Sequence, residues 1–413
     1  MQSKSNFPIS SKIPIVFVPA LMGTTLVNDD NINVYVTAAT GMGLDTPNLK
    51  LPIKWNCNDG DVLPVQEKDD IRPSKPLKSI KLGPIKILNQ YSTFCKHFEQ
   101  YDNFHSFAYD WRRDLNETTN MLLEFLEYIK RRYGVSAQVI SHSMGCLVAV
   151  AAYNINPELF HSTLFCGGNF AGGFGFYPTN TEGMNVGLNK TYLGPDVVHT
   201  FPSMYATASP MGVGKDPVLR NREGRQLWQF VDANDTKKNV DIDMWNVQDW
   251  KRYKIGPWIS NATIPLEMEE HVKICLELGH TFQMKMRNLE QKDGIYVEKT
   301  LKDVCMYPPV AVLVGDQFLH PEDFLWDTEE SRMIEWTPTL MKKLKPRNFA
   351  RTDGTVSYMS ASQPPIPKGV KVRNYSARNN GPALGAHRDL INDVEMIEHI
   401  LRDLKRDAAS IRL

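Results

Sequence analysis

Ala137-Gln138-Val139-Ile140-Ser141-His142-Ser143-Met144-Gly145-Cys146-Leu147-Val148-Ala149-Val150-Ala151-Ala152-Tyr153 is the stretch whose reading decides the fold. Ala137–Ser141 is a short β-rich run, and Cys146–Tyr153 is small and apolar, as a helix packed tightly on a sheet would be. Between them Ser141-His142-Ser143-Met144-Gly145 has the form G-x-S-x-G with Ser in the first place. A sharp strand-to-helix turn needs small neighbours there, because its apex is strained and its flanks pack closely. Ser143 is therefore the candidate nucleophile, and a plain helix cap is the blander reading of it. The start of the helix would also point backbone N–H groups and a positive dipole end to where an oxyanion forms.

Outward from this stretch, similar runs occur at Ile13–Pro19, Phe104–Tyr109, Ser162–Cys166, Val310–Val314 and Val370–Tyr375. Continuous apolar runs, rather than strict alternation, suit strands buried on both faces of a parallel sheet. Asn116–Tyr133 carries Leu122, Leu123, Phe125, Leu126 and Ile129 at helical spacing, with Gly134 as a stop. Val394–Leu404 repeats Met396, Ile397, Ile400 and Leu401 as an amphipathic closing helix. The alternation predicts an α/β class with a mainly parallel sheet flanked by helices. Two connections far exceed the usual ~2–6-residue loop. Both are rich in Asn, Gly, Pro, Trp and Tyr and read as insertions above the sheet edge. The expected division is a core of 1–27, 96–167 and 305–413, a first insertion at 28–95 and a cap at 168–304.

The 413 residues hold 47 Lys+Arg against 47 Asp+Glu, which argues against a nucleic-acid partner. A 42% hydrophobic share supports a sizeable core. Cys57, Cys95, Cys146, Cys166, Cys275 and Cys305 are scattered without a CxxC pair, so no zinc cage is expected. There is no HExxH, P-loop or dinucleotide fingerprint, and no metal or organic cofactor is implied. Met1–Lys12 is polar, without the apolar stretch of a secretory signal. No apolar window approaches the ~20 residues of a membrane span. The expected setting is cytoplasmic or peripheral to a membrane.

The elbow from Ser141 to Leu147 resembles that of the lecithin:cholesterol acyltransferase family, which includes lysosomal phospholipase A2 and phospholipid:diacylglycerol acyltransferases. Ile15-Val16-Phe17-Val18-Pro19-Ala20-Leu21-Met22-Gly23 resembles its opening strand and oxyanion loop. Ala108-Tyr109-Asp110-Trp111-Arg112 resembles its Tyr-Asp-Trp-Arg signature, and Asp353-Gly354-Thr355-Val356 its acid motif. The resemblance implies an α/β-hydrolase fold, with 28–95 as a membrane-contacting, lid-like insertion and 168–304 as a cap domain carrying a lid. Ala20 stands where the family usually has Gly, and Thr24 where Asn or Ser is common. The lid disulfide of secreted members is not clearly matched; Cys57 and Cys95 are the widely spaced pair that could supply it.

Such hydrolases order their triad as Ser, acid, His. His387, in Gly385-Ala386-His387-Arg388, is the candidate base, with His399 as a rival inside the closing helix. His142 reads as a packing residue of the elbow. Position alone favours Asp316, directly after Val310–Gly315, as the acid, whereas the resemblance implies Asp353. The oxyanion donors would be the backbone N–H of Met144, the residue after the nucleophile, and, by resemblance, that of Met22.

Asp110 and Trp111 are candidate substrate-binding residues, against the plainer reading of an Asp110–Arg112 pair capping the sheet edge. Trp55, Phe174, Phe176, Tyr177, Trp228, Trp245, Trp250 and Trp258 suggest an apolar cleft, or simply core packing. The resemblance implies acyl transfer from a phospholipid or acylglycerol to water or a lipid alcohol, by a monomer in transient contact with lipid surfaces. The alternatives are a soluble carboxylesterase on small esters and a non-catalytic lipid-binding protein on the same scaffold.

Overall fold

The computed structural model describes residues 13–56, 63–82, 85–172, 176–208, 230–259, 263–292, 295–298, 307–321, 323–330, 332–334, 336–346, 349–377 and 386–411. Six strands form the central sheet: β1 (Ile15–Val18), β2 (Phe104–Ser106), β3 (Ala137–His142), β4 (Phe160–Cys166), β5 (Val310–Val314) and β6 (Val372–Ser376). Their order is β6-β5-β4-β3-β1-β2, and all five pairings are parallel. The four inner strands are buried at every residue, as their unbroken apolar runs require. The edge strands are not. β6 alternates exposed and half-buried residues, and β2 is half-buried throughout and ends at Ser106 instead of Tyr109.

Alternate residues of each strand point to opposite faces. Val16, Val18, Val139, Val310 and Val312 pack on one face with Leu122, Leu126 and Ile129 of helix α1 (Leu115–Tyr133) and Val148 of helix α2 (Met144–Ile155). Ile15, Phe17, Ile140, Leu164 and Leu313 pack on the other, against Phe94, Phe98 and a late helix. α1 starts where the Asp114 carboxylate accepts the Asn116 N–H, and stops at Gly134, whose φ of 70° lets its N–H reach the Lys130 carbonyl. α2 is buried from Met144 to Asn154, which its run of small and apolar residues permits. A longer helix, α3 (Leu266–Met286), from the segment between β4 and β5, lies across both α1 and α2.

The closing helix, α4 (Val394–Ile411), runs a turn and more beyond Leu404. In the structure Asp407 accepts from Lys371 and Arg373, and Asp403 from the Tyr375 hydroxyl, all beside or on edge strand β6. The end of the helix is thus paired to the edge of the sheet by contacts that sequence periodicity cannot register.

The segment after β1 forms small antiparallel sheets, beginning with Thr24–Val27 between Asn33–Tyr35 and Arg72–Pro76. Thr24–Val27 therefore belongs to the first insertion's sheet and not to the core. Phe230–Asp232 pairs in parallel with Phe324–Asp327, so part of the segment after β5 is joined to the cap. The parallel sheet, the helices on both faces and the strand-turn-helix between β3 and α2 make this an α/β-hydrolase fold with inserted smaller sheets.

Leu404 is fully buried against the sheet. Leu404→Ala is expected to lower unfolding free energy by about 2–5 kcal/mol in urea titrations. A loss below ~1 kcal/mol would contradict this packing.

Candidate active site

Ser143 sits between the last residue of β3 and the first of α2 with φ 53° and ψ −122°. A non-glycine residue there costs about 1–3 kcal/mol and persists only when its surroundings dictate it. The Ser143 N–H donates to the Cys166 carbonyl of β4 at 2.9 Å. A Cβ on Gly145 would lie 2.3 Å from the Pro19 oxygen and 2.6 Å from the Val18 oxygen. Only glycine lets α2 begin directly under the end of β1, and the serine is turned outward by that close approach.

Three side chains from distant parts of the chain meet at this turn. The His387 Nε2 lies 2.9 Å from the Ser143 Oγ, and its Nδ1 lies 2.5 Å from the Asp353 Oδ2. A neutral His387 carrying its proton on Nδ1 donates to Asp353 and leaves Nε2 free to accept the serine proton. The other Asp353 oxygen accepts the N–H groups of Thr355 and Val356 at 2.9 and 2.7 Å. Burial alone would raise the Asp353 carboxyl, but the His387 ring beside it and these N–H donors outweigh burial and hold it below its ordinary value. It is therefore a carboxylate at neutral pH.

Asp316 is placed elsewhere: it is partly exposed and faces Arg351 at 3.4 Å. Gly315 explains the difference. A Cβ there would lie 2.6 Å from the Asp353 Cβ, so Asp353 fills the space at the end of β5 where position alone suggested Asp316. His399 is more than half exposed on α4 and faces Asp403.

Met144 opens α2, and its N–H is among the first-turn donors that have no partner within the helix. Met22 lies in a turn closed by the Gly23 N–H on the Ala20 carbonyl at 2.9 Å, with φ 58°. This strained turn follows β1 and runs beside the elbow.

Asp110 and Trp111 hold the first insertion to the core. Trp111 is fully buried, donates from Nε1 to the Thr24 carbonyl, and packs on Tyr35 and Phe201. Asp110 accepts from the Arg112 backbone and guanidinium. Arg112, also fully buried, further bonds Asp69 and the Leu49 carbonyl. A buried guanidinium requires such pairing. These contacts match the plainer reading of a structural Asp110–Arg112 pair, and Asp69 is the partner that short-range motif reading missed.

Sequence reasoning also missed Tyr91. Its hydroxyl accepts the Ala20 N–H at 2.9 Å and lies 3.0 Å from His142 Nδ1. His142 Nε2 lies 3.0 Å from the His387 carbonyl oxygen. Nothing local marks Tyr91, which stands at the end of the first insertion; His142 does belong to the packed elbow, as expected.

Trp250 is buried in the cap, where Trp55 and Trp258 pack on the same cluster, and Trp245 meets the edge of His280. Phe174 and Trp228, with the side chains of Phe176 and Tyr177, lie outside the described residues. Cys95 is a free, buried thiol, which removes the pairing with Cys57; Cys57 itself and Cys305 lie outside the described residues. Among the described residues no group of three or more His, Cys, Asp or Glu side chains gathers as metal ligands would. Among them, too, no helix is long and apolar enough to cross a membrane.

The sequence profile of the lecithin:cholesterol acyltransferase family matches residues 70–197. That span holds Asp110–Arg112 and the elbow, but neither Asp353 nor His387. No curated protein matches the chain. Among solved structures, the Tle4-Tli4 complex is similar at 12% identity, covering 97% of this chain and 99% of that one, with a TM-score of 0.49. Mature Bacillus licheniformis lipase BlEst2 is similar at 9% identity, covering 97% and 94%, with a TM-score of 0.37. MenH from S. aureus is similar at 11% identity, covering 98% and 96%, with a TM-score of 0.31. Likeness at this level decides nothing about chemistry.

Asp353→Asn is expected to lower kcat for a chromogenic ester by about 10⁴-fold, as loss of a triad acid does. Asp316→Asn should leave it within about twofold. The reverse pattern would assign the acid to Asp316.

Three buried histidines set the acid limit of stability. Burial, aided by His387, lowers His142 to about 3; burial lowers His199 and His271 to about 4. Unfolded, each binds a proton near pH 6.5, so the unfolded state takes up more protons as pH falls below that value. The contribution of these histidines is full above pH 6.5 and declines toward pH 4, while Asp114, raised to about 6 by burial, shifts stability the opposite way over part of that range. Calorimetry should show a lower melting temperature at pH 4.5 than at pH 7; equal midpoints would contradict the neutral, buried assignment.

Proposed function

We propose that this chain is a serine-dependent acyl hydrolase or acyltransferase whose donors are fatty-acyl esters of glycerolipids. The observation that carries the reading is the continuous Ser143–His387–Asp353 hydrogen-bonded chain at a strained elbow. Ser143 is the nucleophile, His387 the general base and acid, and Asp353 the group that fixes the imidazole tautomer. His387 Nε2 takes the hydroxyl proton as Ser143 Oγ bonds to the ester carbonyl carbon. The oxyanion is held by the N–H groups of Met22 and Met144, each worth about 2.7–4 kcal/mol of barrier. The His387 imidazolium then protonates the leaving alcohol, and an acyl ester remains on Ser143. Water or a lipid alcohol, deprotonated by His387, attacks that ester and frees the serine.

The lipid donor is supported by the profile match over 70–197, which joins the elbow to the end of the first insertion. We take 28–95 as the lipid-contacting insertion and 168–304 as the cap that governs water access. Because the match ends at residue 197, most of the cap that admits substrate lies beyond it. A carboxylesterase of small soluble esters, with the same three residues, is therefore the second reading.

A fluorophosphonate probe should label the wild type and not Ser143→Ala. Equal labelling of both would refute the nucleophile, and labelling of neither would favour a non-catalytic binder. Product analysis on phospholipid vesicles, with and without a sterol or diacylglycerol, should show released fatty acid or acylated acceptor. Turnover confined to short soluble esters would establish the second reading.

A further inference from the structure

A line of hydrogen bonds beside the catalytic residues joins the two halves of the site through groups that the acyl-transfer reading leaves unused. It starts at the Ala20 N–H in the turn after β1, passes through the Tyr91 hydroxyl and the His142 ring, and ends on the His387 carbonyl. Its direction is forced at both ends. A backbone N–H can only donate and a backbone carbonyl can only accept. Facing the His387 oxygen, His142 Nε2 must carry the ring proton and donate it there. Nδ1 of the neutral ring is then an acceptor, so the Tyr91 hydrogen goes to it while the Tyr91 oxygen accepts the Ala20 N–H. Tyr91 is fully buried and His142 nearly so, and unmade bonds at either would leave buried polar groups stranded.

The same two segments are tied a second time. Asn392, five positions after His387, donates to the Gln90 carbonyl at 2.8 Å and accepts the Phe94 N–H at 3.2 Å. Tyr91 stands between those two contacts, at the start of the helix Ser92–Phe98. The tyrosine ring itself is fixed edge-on to Phe17 of β1, with centroids 5.0 Å apart. The segment carrying the base and the turn carrying an oxyanion donor are therefore referenced to one buried tyrosine.

We propose that Tyr91 and His142 are positioning residues that hold the Met22 turn and the His387 backbone at a fixed separation. This rests on the acyl-transfer reading of the site. Neither residue touches substrate. Tyr91 fixes the His142 tautomer, and His142 fixes the height of His387 above Ser143. A base displaced by about 1 Å can lose ~10²-fold in rate. The tie also gives the end of the first insertion a direct grip on the catalytic histidine, through the elbow's His142 and through Tyr91, which no motif marks.

Tyr91→Phe keeps the ring packing and removes only the hydroxyl. It should lower kcat for a soluble chromogenic ester by about 10–100-fold, with KM within about twofold. Turnover is counted per site labelled by a fluorophosphonate, so that loss of folded protein does not mimic the effect. His142→Asn should fall in the same range, and the double variant should be no worse than the poorer single one, because the residues act as one line. Independently of turnover, ¹⁵N-histidine NMR of the wild type should show His142 as the neutral Nε2–H tautomer, and Tyr91→Phe should mix the tautomers. A full-speed Tyr91→Phe, additive losses in the double variant, or a wild-type Nδ1–H tautomer would each overturn the proposal. A wild type that takes no phosphonate label would instead count against the acyl-transfer reading, while the histidine spectrum still decides the relay.

Discussion

Ser143 holds φ 53° and ψ −122° because its surroundings leave it no easier conformation. Its N–H is taken by the Cys166 carbonyl, and the residue two places on must be glycine because the carbonyls of Val18 and Pro19 lie where a Cβ would be. Three parallel strands, β1, β3 and β4, therefore converge on one serine. The helix that follows is buried along nearly its whole length, so the strain is offset by packing far larger than itself. The groups of the proposed mechanism are all referenced to that turn: the Met22 turn follows β1, His387 comes from the segment before α4, and Asp353 from the turn that fills the end of β5.

Much of this was legible in the sequence because it depends on short-range pattern. The buried inner strands are unbroken apolar runs, and α1 shows its 3.6-residue stripe and its glycine stop. The elbow is a contiguous signature, and His387 follows from the order of residues along such folds. The acid was less legible. Direct spacing after β5 points to Asp316, whereas the structure places Asp353 against Gly315 after a long excursion. No local periodicity encodes a return of that kind.

What the sequence hid is held by long-range polar contacts. Arg112 reads as one half of an Asp110–Arg112 pair, but Asp69 and the Leu49 carbonyl, from the segment between β1 and β2, complete its burial. Tyr91 has no motif, yet it touches Ala20 and His142 at once. Asp403 and Asp407 tie the last helix to groups on or beside an edge strand. In each case the deciding partner lies tens of residues away, and composition or spacing carries no trace of it. Through Tyr91, Asp69 and Trp55 the segment between β1 and β2 is bonded to the elbow, to the Asp110–Arg112 pair and to α3.

The central claim is that an acyl group passes through the hydroxyl of Ser143. Acid-quenched incubation with a slowly released ester, followed by peptide mass mapping, tests it directly. The account predicts a mass increase equal to the acyl group on the peptide containing Ser143, appearing before free acid reaches its steady rate. Steady release of acid with no adduct at Ser143, or an adduct on another residue, would contradict it.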